Sequence, residues 1–160
     1  MTPGINIAKK AKISYTIHEY SHDPASESYG YEAAEKMGVA EERVFKTLVV
    51  SLDNTELAVA VVPVSSMLNM KLIAKAAGAK KAGMAAAADV ERSTGYVLGG
   101  VSPLGQKKRL KTIIDASAAS FPSIYVSAGR RGLEIELSPN DLKNLTNGTF
   151  AAICQQDHSQ

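Results

Sequence analysis

The apolar positions of this chain fall into short blocks whose spacing changes from one block to the next. VFKTLVVSL (44–52) and ELAVAVVPV (56–64) are nearly continuous apolar runs on either side of Asp53-Asn54-Thr55. Runs of that kind around a turn cluster predict a β-hairpin buried on both faces. Leu133, Ile135 and Leu137 instead alternate with Glu134 and Glu136, which predicts a strand with one core face and one wet face. ISYTIHEY (13–20), KTIID (111–115) and SIYVS (123–127) are rich in β-branched and aromatic residues and read as further strands.

Helical spacing appears between these runs. Met70, Ile73, Ala74 and Ala77 recur at i, i+3, i+4 and i+7 between Asn69, a good N-cap, and Gly78, a good stop. Thr2-Pro3 opens a short N-terminal helix, and residues 29–38 form another in which Glu32 and Lys36 pair and Gly38 terminates. An Ala-rich helix is predicted over 85–92, and a last one from Ser138-Pro139, with Asp141 near the capping-box position, to Gly148. Residues 21–28 break regular structure, and the end of the chain is expected to fray. Strands outnumber what a regular β-α alternation would give. The predicted fold is a single α/β domain over 1–153, a mixed, mostly antiparallel, barrel-like sheet flanked by helices, with 154–160 as a tail.

Composition refines this. A chain of 160 residues with 45% apolar and 21% charged residues can bury one real core. The absence of Trp leaves Ala, Val, Leu and Ile to fill it. A formal charge of +2 is too small to indicate nucleic-acid binding, so any RNA contact must come from local clusters. The single cysteine, Cys154, cannot form an internal disulfide, which fits a reducing compartment. With no apolar leader and no run long enough to cross a bilayer, a soluble cytoplasmic protein is expected.

Lys46 is the most informative candidate for chemistry. It shares a strand face with Val44, Leu48 and Val50 while Phe45 and Val49 make the other face apolar. An ammonium there must snorkel, meet an anion, or lose its proton. The segment 92–109 crowds Gly95, Gly99, Gly100, Pro103 and Gly105 beside Arg92, Lys107, Lys108 and Arg109. Such a segment either lets backbone N–H groups approach an oxyanion or merely turns corners. Gly100 and Gly105 have P-loop spacing, but Gln106 stands where the lysine belongs, which excludes that motif. The run 106–111, Arg130-Arg131 and Lys80-Lys81 are candidate phosphate contacts or plain solubilising charge. His18 and His22 lie on strand and loop, where their spacing does not make a metal pair. Tyr20 and Ser127 each offer a hydroxyl, yet no nucleophile elbow surrounds the serine. The residues supply no conventional nucleophile.

Phe45-Lys46-Thr47-Leu48, STGYVLGGVSPLGQKKRLKTIID (93–115), IYVSAGRRGLEIEL (124–137) and the HDP at 22–24 resemble, in order and wording, the YbaK/EbsC family. The resemblance runs from the opening MTP to about residue 150. It implies the fold of the editing domain inserted in bacterial prolyl-tRNA synthetases and the activity of a Cys-tRNA(Pro) deacylase. By position, Lys46 matches the lysine the family needs for activity, and Gly99, Gly100 and Pro103 match its substrate loop. Tyr20, Ser127 and Glu134 match further pocket positions, with Glu134 where close relatives carry Asp and Ala128 where glycine often follows the serine.

The implied partner is a tRNA acceptor end carrying cysteine, with prolyl- or cysteinyl-tRNA synthetase as a second partner, and neither cofactor nor metal is implied. In the implied mechanism the substrate thiol attacks its own ester, so the enzyme has only to bind, orient and stabilise charge. Two alternatives stand beside it: a non-catalytic module that binds aminoacyl-tRNA or a synthetase, and an editor of Ala- or Ser-tRNA that uses water.

Overall fold

A computed structural model describes residues 1–25 and 29–155 of the chain. The hairpin is its centre. β2 (Phe45–Leu52) and β3 (Glu56–Pro63) pair antiparallel along their full length. The turn holds Asp53 and Asn54 at φ of 52° and 56°, a left-handed geometry that Asp and Asn tolerate better than most residues. β5 (Lys111–Asp115) adds in parallel to β3, β8 (Thr149–Ala151) adds in parallel to β5, and β4 (Ala82–Met84) caps the far end of β2. A second sheet has β7 (Leu133–Leu137) between β1 (Tyr15–Glu19) and β6 (Ile124–Arg130), all antiparallel.

The hairpin is buried on both faces because a layer covers each. Phe45, Val49, Val59 and Val61 pack against Ile124, Val126, Ile135 and Leu137 of the smaller sheet. Val50, Ala58, Ala60 and Val62 pack against Ile73 and Ala77 of α3 (Met70–Ala77). The three-stranded sheet thus stacks on the five-stranded one. The two stay open, joined by the parallel bridge Val44↔Tyr125, so the barrel-like closure expected from the sequence does not form.

Local signals place the helices. Thr2 accepts from the Ile5 N–H ahead of α1 (Pro3–Ala11), Asn69 from the Leu72 N–H ahead of α3, and Ser138 from the Asp141 N–H ahead of α5 (Pro139–Thr146). α2 (Tyr29–Met37) carries the Glu32–Lys36 pair at 3.8 Å and ends at Gly38. α4 (Ala87–Thr94) starts later than the Ala-rich run suggests, because the Ala85 N–H donates to the Val49 carbonyl and keeps that residue on the sheet edge.

A larger difference concerns β7, whose second face is wet only in part: Glu136 stays partly exposed while Glu134 does not. Ala33 and Ala34 of α2 pack against Tyr125 and Tyr20 on that side, and Glu134 is only 7% exposed. At the C-terminal end Cys154 bridges Leu68, and the Gln155 N–H donates to the Met67 carbonyl. Residues 156–160 of the expected tail, and 26–28 of the expected break, lie outside the described residues.

Candidate functional site

A cavity of about 340 Å³ lies between β2, the β6–β7 pair and the glycine-rich segment, and Tyr20, Lys46, Gly99, Ser127 and Glu134 all line it. Five of the residues singled out in the sequence are therefore neighbours in space. Tyr20 is placed by its own N–H, which donates to the Gly132 carbonyl at 2.9 Å. Gly132, at φ of 84°, closes the β6–β7 turn so tightly that a Cβ there would sit 2.6 Å from the Tyr20 carbonyl oxygen. Ser127 stands where the β6–β7 register shifts, and its Oγ accepts from the Gly129 N–H at 3.1 Å.

Glu134 faces His18 on one neighbouring strand and Ser127 on the other. Burial pushes its carboxyl up to about 8, so near neutral pH it is mostly the protonated acid, able to donate a hydrogen bond. Burial, together with the Glu134 charge, pushes the Tyr20 hydroxyl up to about 12 and keeps it a donor as well. Lys46 is half-buried, and no hydrogen bond or ion pair holds its ammonium among the described residues. That leaves it available to an anionic or polar ligand.

The glycine-rich segment is anchored rather than loose. The Tyr96 hydroxyl donates to the Leu104 carbonyl at 2.6 Å, and the Lys107 and Lys108 N–H groups donate to Thr94 and Ser93. Gly99, at φ of 90°, lines the cavity. Gly100 lies against the β6 backbone instead, where a Cβ would come 2.8 Å from Arg130 Cα, and its N–H is engaged by the Val97 carbonyl. It is therefore not an open donor for an oxyanion. Pro103 does not line this cavity either: it borders another with Gly105, Gln106, Lys108 and Arg109.

Arg130 and Arg131 do reach the rim. Arg131 Nη1 lies 3.1 Å from His22 Nε2, and His22 Nδ1 lies 2.7 Å from Glu32. Donation by Arg131 requires Nε2 to accept and leaves Nδ1–H for Glu32. Burial opposes ionisation of Glu32, but His22, the Asp23 N–H and Lys36 together hold its carboxyl below the usual range. His18 belongs to a different cluster, with Nε2 2.9 Å from Glu136. The two histidines do not converge.

Thr47 was quoted in the sequence only as part of a motif, yet it lines the cavity with a buried hydroxyl that has no partner among the described residues. No pattern of apolar and polar positions marks an unpaired hydroxyl. Cys154 lies within electrostatic reach of Lys46, but burial and then Asp115 push its thiol up to about 12, leaving almost no thiolate at neutral pH.

Residues 23–145 match the model of the aminoacyl-tRNA editing domain. The candidate Cys-tRNA(Pro)/Cys-tRNA(Cys) deacylase EbsC of Enterococcus faecalis is 39% identical over 158 residues, 98% of this chain and 94% of that protein. Two solved structures share the fold. A candidate trans-editing enzyme for prolyl-tRNA synthetase superposes with a TM-score of 0.78 at 22% identity, covering 89% of this chain and 87% of that one. A hypothetical protein superposes with a TM-score of 0.83 at 25% identity, covering 96% and 99%. The chain belongs to the aminoacyl-tRNA editing domain family, whose work is to remove amino acids from wrongly charged tRNA.

Proposed function

We propose that this protein acts in trans on cysteine mischarged to tRNA(Pro), and that the cysteine thiol itself is the nucleophile. The observation that carries this reading is a cavity with donors and no nucleophile. Ser127 has no histidine bonded to it among the described residues, its Oγ accepts from Gly129, and the Cys154 thiol stays protonated. What remains is Lys46, the protonated Glu134, the Tyr20 hydroxyl and Gly99, which bind and polarise. The name carried by EbsC points to the same substrate.

In this mechanism the thiol sulfur bonds to the ester carbonyl carbon, the bond from that carbon to the ribose oxygen breaks, and the thiol proton passes to the ribose oxygen. Free tRNA and a cyclic thioester leave, and water opens the thioester. Lys46 stabilises the negative charge on the carbonyl oxygen. A proline site cannot reject the smaller cysteine by packing alone, so a test of chemistry complements a test of size. The tRNA acceptor end is the direct partner, a prolyl- or cysteinyl-tRNA synthetase supplies tRNA identity, and the substrate places the protein in the cytoplasm.

The test compares deacylation of Cys-, Ala- and Pro-tRNA(Pro) at one salt concentration, with Lys46→Ala alongside. Loss of cysteine alone is expected, and the variant should lose roughly a hundredfold to a thousandfold in kcat, as for removal of an oxyanion donor. Equal loss of alanine would replace the thiol with water. Binding without hydrolysis of any ester would leave a non-catalytic module.

A further inference from the structure

Glu32 is buried, 6% exposed, on a helix that meets the cavity only at Gly30 among the described residues. Its two oxygens face two donors. Oε1 lies 2.7 Å from His22 Nδ1, and Oε2 accepts the Asp23 N–H at 2.7 Å. Lys36, one turn along α2, approaches Oε2 at 3.8 Å and donates to the Ser21 carbonyl. A carboxylate this deep costs desolvation that an apolar residue of similar size would avoid. Packing of α2 on the 20–25 segment does not by itself call for an ion there.

What the ion does is fix a tautomer. A carboxylate only accepts, so a neutral His22 turns Nδ1–H toward it and leaves Nε2 a bare acceptor. Arg131 Nη1 stands 3.1 Å from that Nε2. A guanidinium only donates, so this contact exists for one tautomer of the neutral ring and not for the other. Arg131 lines the same cavity as Lys46, and its charge acts on the Tyr20 hydroxyl. The order Glu32, His22, Arg131 thus runs from a buried helix position to a cation at the cavity wall.

We propose that Glu32 is a positioning residue for substrate binding: through the His22 tautomer it fixes the Arg131 guanidinium at the cavity wall, where it meets negative charge on the incoming tRNA end. The inference rests on the aminoacyl-tRNA reading of the cavity. An arginine held in place before the ligand arrives loses less conformational freedom on binding than a mobile one. Glutamine does not replace Glu32, because both neighbours donate and an amide has a single acceptor oxygen to share between them. At position 22 glutamine does better, since its carbonyl oxygen offers Arg131 the acceptor that Nε2 now provides.

Two measurements on the full chain test this. Proton–nitrogen correlation spectra of the imidazole, taken at about pH 8 where histidine is ordinarily neutral, should show His22 as the Nδ1–H tautomer and show that preference lost in Glu32→Gln. The Nε2–H tautomer in the wild type, or an unchanged spectrum in the variant, overturns the proposal.

Deacylation of Cys-tRNA(Pro) is the second. Glu32→Gln and His22→Leu should each raise KM about tenfold with little change in kcat, and His22→Gln should recover most of that loss. Adding His22→Leu to Arg131→Ala should cost nothing further, because the histidine acts through the arginine. A cluster that merely staples α2 to the 20–25 segment would lower kcat by displacing Tyr20 and give additive losses in the double variant. Either result overturns the positioning role, as does an unchanged KM or a His22→Gln no better than His22→Leu. If no ester is cleaved, the editing reading falls, and the same variants are compared by their Kd for an uncharged acceptor microhelix. Equal Kd values there overturn the positioning role, and the tenfold pattern with its glutamine rescue upholds it.

Discussion

A carboxyl group buried beside a phenol sets the pH behaviour of the cavity. Glu134 titrates near 4.5 when exposed and near 8 in the fold, with burial as the cause. Between those values the folded state holds a proton that the unfolded chain has lost, so stability falls as pH rises through the window. Above about 8 both forms are ionised and the loss is complete. Glu134→Gln keeps the shape and removes the charge. At pH 8 it should be more stable than the wild type by on the order of 2 kcal/mol, with a flatter profile from pH 5 to 8 in urea titrations. Parallel profiles for the two proteins would mean that Glu134 is not desolvated. Lys46 was legible in the sequence because apolar neighbours on both strand faces leave an ammonium few places to go. The burial of Glu134 was not, because it depends on α2, a remote helix laid across a face that alternation alone marks as wet.

Turns position the cavity walls, and their glycines differ in what they would cost. Gly38 and Gly132 both sit at positive φ, 69° and 84°. A Cβ at Gly38 would meet nothing within 4 Å, whereas one at Gly132 would strike the Tyr20 carbonyl. Gly38→Ala should therefore cost about 1 kcal/mol in thermal or urea denaturation, from backbone conformation alone. Gly132→Ala should cost roughly 2–3 kcal/mol and also raise KM, because Tyr20 must move. Equal stability losses and unchanged KM in both would show that the β6–β7 turn does not hold Tyr20. The elements themselves were legible wherever a period or a cap was strong, as in the hairpin, α3 and α5. β4 and β8 were not, since three-residue edge strands are too short to carry a period and form only when β2 and β5 offer them an edge.

Across the whole molecule, the basic residues are divided by the fold in a way their sequence does not show. A net charge of +2 gives no field strong enough to steer a tRNA by itself, so the placement of single charges decides how the acceptor end approaches. Lys108 and Arg109 border the pocket shared with Pro103, whereas Arg130 stands at the rim of the cavity with Lys46. Arg130 lines the cavity itself and the Lys108-Arg109 pair does not, so an acceptor end held in that cavity is expected to draw a phosphate contact from Arg130 rather than from that pair. Arg130→Ala should then weaken binding of every tRNA alike and lower the slope of log K against log salt by about 1, the loss of one phosphate contact. The Lys108→Ala/Arg109→Ala double variant should leave that slope nearly unchanged in the same salt titration. The opposite result, a slope reduced only in the double variant, would place the tRNA across the glycine-rich segment, away from the Arg130 rim.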